Sequence, residues 1–108
     1  MIRADFSGSE QKITGFTLSG HAGLAPAGSD ILCAAVSAMA LLTVNTLQEV
    51  FGAEFDLAQR KEDGFLSLKM TRIPDGKEEA VYGVLQGLLL QLKDLREQYP
   101  DSLSVTVK

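Results

Sequence analysis

The apolar positions of this chain change period along its length, and those changes divide it into elements. At residues 2–7, Ile2, Ala4 and Phe6 alternate with Arg3, Asp5 and Ser7, the two-residue period of a half-buried strand. Ser7-Gly8-Ser9-Glu10-Gln11 supplies a turn. A second strand follows at about 12–19 with Phe16 and Leu18 on one face, so the pair reads as a hairpin. Ile13 falls out of step with that alternation, which predicts a bulge or an early change of register. Gly20 to Ser29 is a loop of glycines, one proline and small side chains, a composition that permits unusual backbone angles and close approach by a partner.

A helix is expected from Ile31 to about Glu49, capped by Asp30 or Ser29 and ended by Gly52. Ile31, Ala34, Ala35, Ala38, Met39, Leu42 and Leu47 are expected to face the core. Leu32, Val36, Ala40, Leu41 and Val44 are apolar too, and a helix apolar nearly all round is enclosed on several sides. A second subunit would supply the extra cover. Strands at Ala53–Gln59 and Phe65–Thr71 flank a polar turn, Arg60-Lys61-Glu62-Asp63-Gly64, which reads as solvated. Phe55 and Leu57 share one face of the first, and Leu66, Leu68 and Met70 share one face of the second. Asp75-Gly76-Lys77-Glu78 reads as a capping box with Asp75 as the cap. The helix it opens runs to about Gln98 with a core stripe of Val81, Val84, Leu85, Leu88, Leu92 and Leu95. Tyr99-Pro100-Asp101 stops it, and Leu103–Val107 alternates as a last strand. The order β-β-α-β-β-α-β predicts an α+β fold, a largely antiparallel sheet with two helices packed on it, as one domain over residues 1–108.

Composition narrows the function classes. The formal charge of −4 gives no reason to expect nucleic-acid binding. The opening MIRADFSG lacks the apolar run of a signal peptide, and Ser37, Thr43 and Lys93 interrupt the longest apolar stretches, so no membrane partner is expected. A single cysteine makes no intrachain disulfide. The expected setting is the reducing cytoplasm, with Cys33 a thiol. One histidine and one cysteine are too few for a structural zinc site, and Ala27-Gly28 is not followed by the lysine of a phosphate loop. No metal or cofactor is expected.

The chemistry concentrates in GHAGLAPAGSDILCAA, which holds both His21 and Cys33. Cys33 falls in the first turn of the long helix, where free N–H groups and the helix dipole concentrate positive potential and favour a thiolate. Those N–H groups are also candidate donors to an oxyanion. His21 lies where the second strand gives way to the loop, and an imidazole there can take the thiol proton and later protonate a leaving amine. Asp30 has two candidate roles, capping the helix and orienting His21. The same spacing also suits an inert core cysteine and a histidine that merely marks a strand end. Ser37, one turn beyond Cys33, is expected chiefly as a small packing residue.

GHA, the loop, and then Asp30-Ile31-Leu32-Cys33-Ala34-Ala35-Val36-Ser37 closely resemble the bacterial ribosomal-processing cysteine protease family. The resemblance runs along nearly the whole chain. It implies a cytoplasmic homodimer that removes the N-terminal extension of a large-subunit ribosomal protein precursor, cutting after a pair of aromatic residues. By position it makes His21 the catalytic histidine, Cys33 the nucleophile and Asp30 the motif aspartate. Leu32 stands where that family often has valine. Gly23, Leu24, Ala25, Pro26, Ala27, Gly28 and Ser29 would form a substrate loop that orders on binding. An apolar subsite is implied near the dyad, with Ala25, Pro26 and first-helix residues as candidate walls. The competing expectation is a noncatalytic ribosome-assembly or adaptor module acting as a homodimer.

Overall fold

Alternation at the N-terminus builds the hairpin from which the sheet grows. A computed structural model describes residues 1–21 and 30–108. Strand β1 (Ile2–Gly8) pairs antiparallel with β2 (Ile13–Ser19), setting Phe6 opposite Phe16 and Ala4 opposite Leu18. The two phenylalanine rings pack with centroids 5.7 Å apart. The expected irregularity is present: the register slips between Ser7 and Gly8, where Gly8 takes φ +100°. The slip returns Ile13 to the core face, fully buried.

The remaining elements are α1 (Ile31–Asn45), a π-helical turn (Thr46–Val50), β3 (Glu54–Arg60), β4 (Phe65–Arg72), α2 (Glu78–Gln98) and β5 (Leu103–Val107). The sheet runs β3-β4-β2-β1-β5, antiparallel throughout except for β1 and β5, which are parallel because α2 carries the chain across from β4 to the far edge. This is the expected α+β arrangement in the expected order. One sheet face carries Ile2, Ala4, Phe6, Phe16, Leu18, Leu66 and Leu68, all buried in a single core with residues of both helices. The other face is polar, with Thr17 and Ser67 hydroxyls 3.2 Å apart and Thr106 donating to Asp5 at 2.7 Å. Burying each Leu or Phe of the core face contributes about 1.5–3 kcal/mol.

Two expectations about the helices need correction. The residues of α1 that enter the core are Leu32, Val36, Ala40, Thr43 and Val44, followed by Leu47. Of the expected set only Leu47 is fully buried and Ala35 and Met39 partly so, whereas Ile31 is 77% and Leu42 67% exposed. A helix this uniformly apolar gives its periodicity no preferred direction, and its rotation is set by the fit of Leu32, Val36, Ala40, Val44 and Leu47 into the shared core. The capping box is also absent. The cap position of α2 is Lys77, which makes no side-chain cap bond. Pro74 to Lys77 instead close a β-turn, with Lys77 N–H donating to Pro74 O at 3.0 Å and Gly76 at φ +81°. Glu78 and Glu79 still set negative charge against the helix N-terminus.

The stripe of α2 matches expectation, with Val81, Leu85, Leu88 and Leu92 buried and Val84 and Leu95 packed beside them. By length and composition alone, residues 31–50 would suffice to cross a membrane. One side of that helix packs into the core just described. Truncating Leu85, which is fully buried, to alanine is expected to cost about 2–5 kcal/mol. Urea unfolding should show this as a lower midpoint at unchanged slope.

Candidate active site

The rotation of α1 that buries Leu32, Val36 and Ala40 turns the next residues, Cys33, Ser37 and Leu41, onto a cleft of about 560 Å³. Opposite them stand His21 at the end of β2 and the β3–β4 turn, represented by Arg60, Lys61 and Gly64. Ile2, Leu18 and Leu66 of the sheet contribute apolar surface at its base. The expected pair thus opens onto one cavity, with Cys33 half-buried and His21 exposed. The loop residues Gly23, Leu24, Ala25, Pro26, Ala27, Gly28 and Ser29 lie outside the described residues.

Asp30 holds the cysteine end of the site. It is the N-cap of α1, in extended geometry, and its Oδ1 accepts the Cys33 N–H at 3.1 Å. Its main-chain oxygen accepts the Ala34 N–H, also at 3.1 Å. Asp30 is 5% exposed, and a buried carboxylate must be hydrogen-bonded to be tolerated. Two first-turn donors that would have been candidates for an oxyanion are therefore engaged by Asp30.

His21 is held from the other side. Its Nε2 lies 3.2 Å from the main-chain oxygen of Glu62, and the preceding residue, Gly20, donates its N–H to Asp63 O at 3.3 Å. The turn expected chiefly as a solvated one therefore walls the cleft and touches the histidine. No signal in the linear sequence joins residue 21 to residue 62. Ser37, expected as packing, is exposed on the cleft wall. Arg60, paired with Asp63, and Lys61 stand at the rim, and Asp30 lines the cleft beside Cys33.

A half-buried thiol at a helix start and an imidazole open onto one cleft with apolar sheet residues at its base, the two side-chain types that a thiol hydrolase uses. The sequence model described as "Cysteine protease Prp" matches residues 1–104. The ribosomal processing cysteine protease Prp of Bacillus subtilis is 31% identical over 110 residues, taking in 98% of this chain and 96% of that protein. A crystal structure of the ribosomal processing protease Prp from Staphylococcus aureus, with a covalently linked product peptide, aligns at TM-score 0.87 and 26% identity over 100% of both chains. The same protease with a substrate peptide aligns at TM-score 0.82 and 25% identity, again over 100% of both chains. The chain belongs to the cysteine protease Prp family. It is an enzyme, and the noncatalytic adaptor is set aside.

Replacing Asp30 by alanine removes the cap and is expected to cost about 0.5–2 kcal/mol, whereas Asp30→Ser should recover most of it. Thermal unfolding of the two variants beside the wild type checks this.

Proposed function

We propose that this protease removes the N-terminal extension of a large-subunit ribosomal protein precursor, with Cys33 as nucleophile and His21 as base. The observation that carries the reading is that His21 and Cys33 open onto one apolar-based cleft in a chain of this family. Curated relatives bear the name ribosomal processing cysteine protease, and the S. aureus relative holds a peptide covalently. Cys33 Sγ attacks the scissile carbonyl carbon as His21 takes the thiol proton, and the carbonyl π pair moves to oxygen. Collapse of that intermediate expels the amine, which leaves with the proton from His21. Water, deprotonated by His21, then attacks the acyl-enzyme and releases the product acid and the thiol. Ile2, Leu18, Leu41 and Leu66 offer the apolar surface that aromatic residues before the cut would require. Asp30 acts by seating the nucleophile through its N–H. Such a precursor is met in the cytoplasm, where we place the enzyme.

The protease works as a homodimer in this reading. Ile31, Ala38 and Leu42 occupy the sector of α1 that faces neither core nor cleft, and all three are exposed. Gly83 and Gly87 of the neighbouring helix α2 have open space where side chains would stand, so a second helix can approach closely. A second copy presenting the same stripe covers it by two-fold symmetry.

Cys33→Ala and His21→Ala should each lower cleavage of a precursor peptide by at least about 10³-fold while remaining folded. Wild-type rates in either variant would remove the dyad. Leu42→Glu should convert a dimer to a monomer in sedimentation velocity, and an unaltered dimer would move the interface elsewhere.

A further inference from the structure

We propose that the β3–β4 turn is a positioning device for His21, gripping the ring through the main-chain carbonyl of Glu62 and so deciding which nitrogen acts as the base. The inference rests on the dyad reading above and deepens it. A carbonyl oxygen only accepts, so the 3.2 Å contact requires that His21 Nε2 carry the hydrogen and donate it. The neutral ring then has its lone pair on Nδ1, and Nδ1 receives the Cys33 proton. The imidazolium formed keeps its Nε2–H on Glu62 O, whose partial negative charge stabilises it. The carbonyl holds the ring without competing for the proton.

Three further observations show that the turn is built to meet the strand end. Gly20 N–H donates to Asp63 O, beside the histidine contact. Gly64 adopts φ +62°, and a side chain there would overlap the Gly20 carbonyl oxygen and come within 3.1 Å of His21 Cε1. The closeness of the two segments therefore depends on glycine at 64 for shape as well as for backbone angle. The turn is also braced from within. Arg60 Nε reaches Asp63 Oδ2 at 2.8 Å while its guanidinium lies 4.1 Å from the Phe65 ring centre. Gly64 N–H closes on Lys61 O at 3.2 Å. An exposed ion pair of this kind adds little stability, but it restricts the conformations of a short turn.

Gly64→Asn separates the two demands on that glycine. Asparagine tolerates left-handed backbone, yet its Cβ still meets Gly20 O and the ring. Gly76→Ala is the matched control, because Gly76 also has positive φ but nothing within 4 Å of an added Cβ. The test measures kcat and KM on a precursor peptide for wild type, Gly64→Asn, Gly64→Ala and Gly76→Ala, well below each melting temperature. It also records ¹⁵N spectra of the imidazole at a pH where the ring is neutral. His21 is the chain's only histidine, so those spectra need no assignment. The expected results are a single Nε2–H tautomer in the wild type and mixed tautomers in both Gly64 variants. Their kcat should fall about 10–100-fold with KM within about twofold, while Gly76→Ala keeps both constants. Mixed tautomers in the wild type, wild-type kcat in folded Gly64→Asn, or a kcat loss with an unchanged histidine spectrum would each overturn the proposal. If the wild type leaves the peptide uncut, the substrate reading fails, and the spectra, which need no substrate, still decide the tether.

Discussion

The rotation of α1 about its own axis is the constraint on which the rest depends. Leu32, Val36 and Ala40, each four residues from the last, are buried against the sheet and α2. One residue along a helix is a turn of about 100°, so the residues that follow them, 33, 37 and 41, share the adjacent face. That face is the wall of the cleft. The core thereby aims the cysteine. Had the helix settled on the Ile31, Ala35, Ala38 and Leu42 side, Cys33 would have pointed elsewhere and the cleft would have lost its sulfur. The apolar excess of α1 is divided the same way: one sector enters the core, one lines the cleft, and a third, with Ile31, Ala38 and Leu42, is exposed.

Most of the architecture was legible in the chain because strands and α2 carry a clear period. Ile2, Ala4 and Phe6 alternate without exception, and β5 falls where Leu103, Val105 and Val107 alternate with Ser104 and Thr106. Even the bulge announced itself, as Ile13 out of phase with Phe16 and Leu18. The rotation of α1 was illegible for the opposite reason. Apolar residues at nearly every position leave periodicity nothing to register, and the outcome turns on side-chain volume against a surface known only after folding. The start of α2 misled because Asp75 and Glu78 have the right identities at the right spacing, while Gly76 at positive φ takes that segment into a turn.

The site divides along similar lines. Cys33, Asp30 and His21 stand close in sequence beside a glycine-rich loop, and the chemistry demanded of them is visible in their residue types. The β3–β4 turn was read as bare solvent-facing polarity because its contribution comes from main-chain atoms. The Glu62 carbonyl exists whatever side chain stands at 62, and residue identity carries no trace of it. Only Gly64 records the contact in the sequence, and a glycine after aspartate in a hairpin is explained sufficiently by the turn itself.

Both members of the proposed dyad are thus held through the backbone at one end of each tether. Asp30 takes the Cys33 N–H, and the Glu62 carbonyl takes the His21 ring. The tethers belong to different parts of the chain, a helix cap and a hairpin turn, and they meet only across the cleft. Main-chain anchors tolerate drift in surrounding side chains better than side-chain pairs do, since substitution leaves the peptide group in place. What they do not tolerate is a change of backbone path. The demand on sequence therefore falls on the cap residue that starts α1 and on the glycine that lets the turn touch β2, rather than on the charged residues around the rim. Arg60 is occupied in bracing that turn, whereas Lys61 and Ser37 line the cleft where a substrate would lie. In the proposed dyad, the geometry of proton transfer is then set by elements that the substrate need not touch.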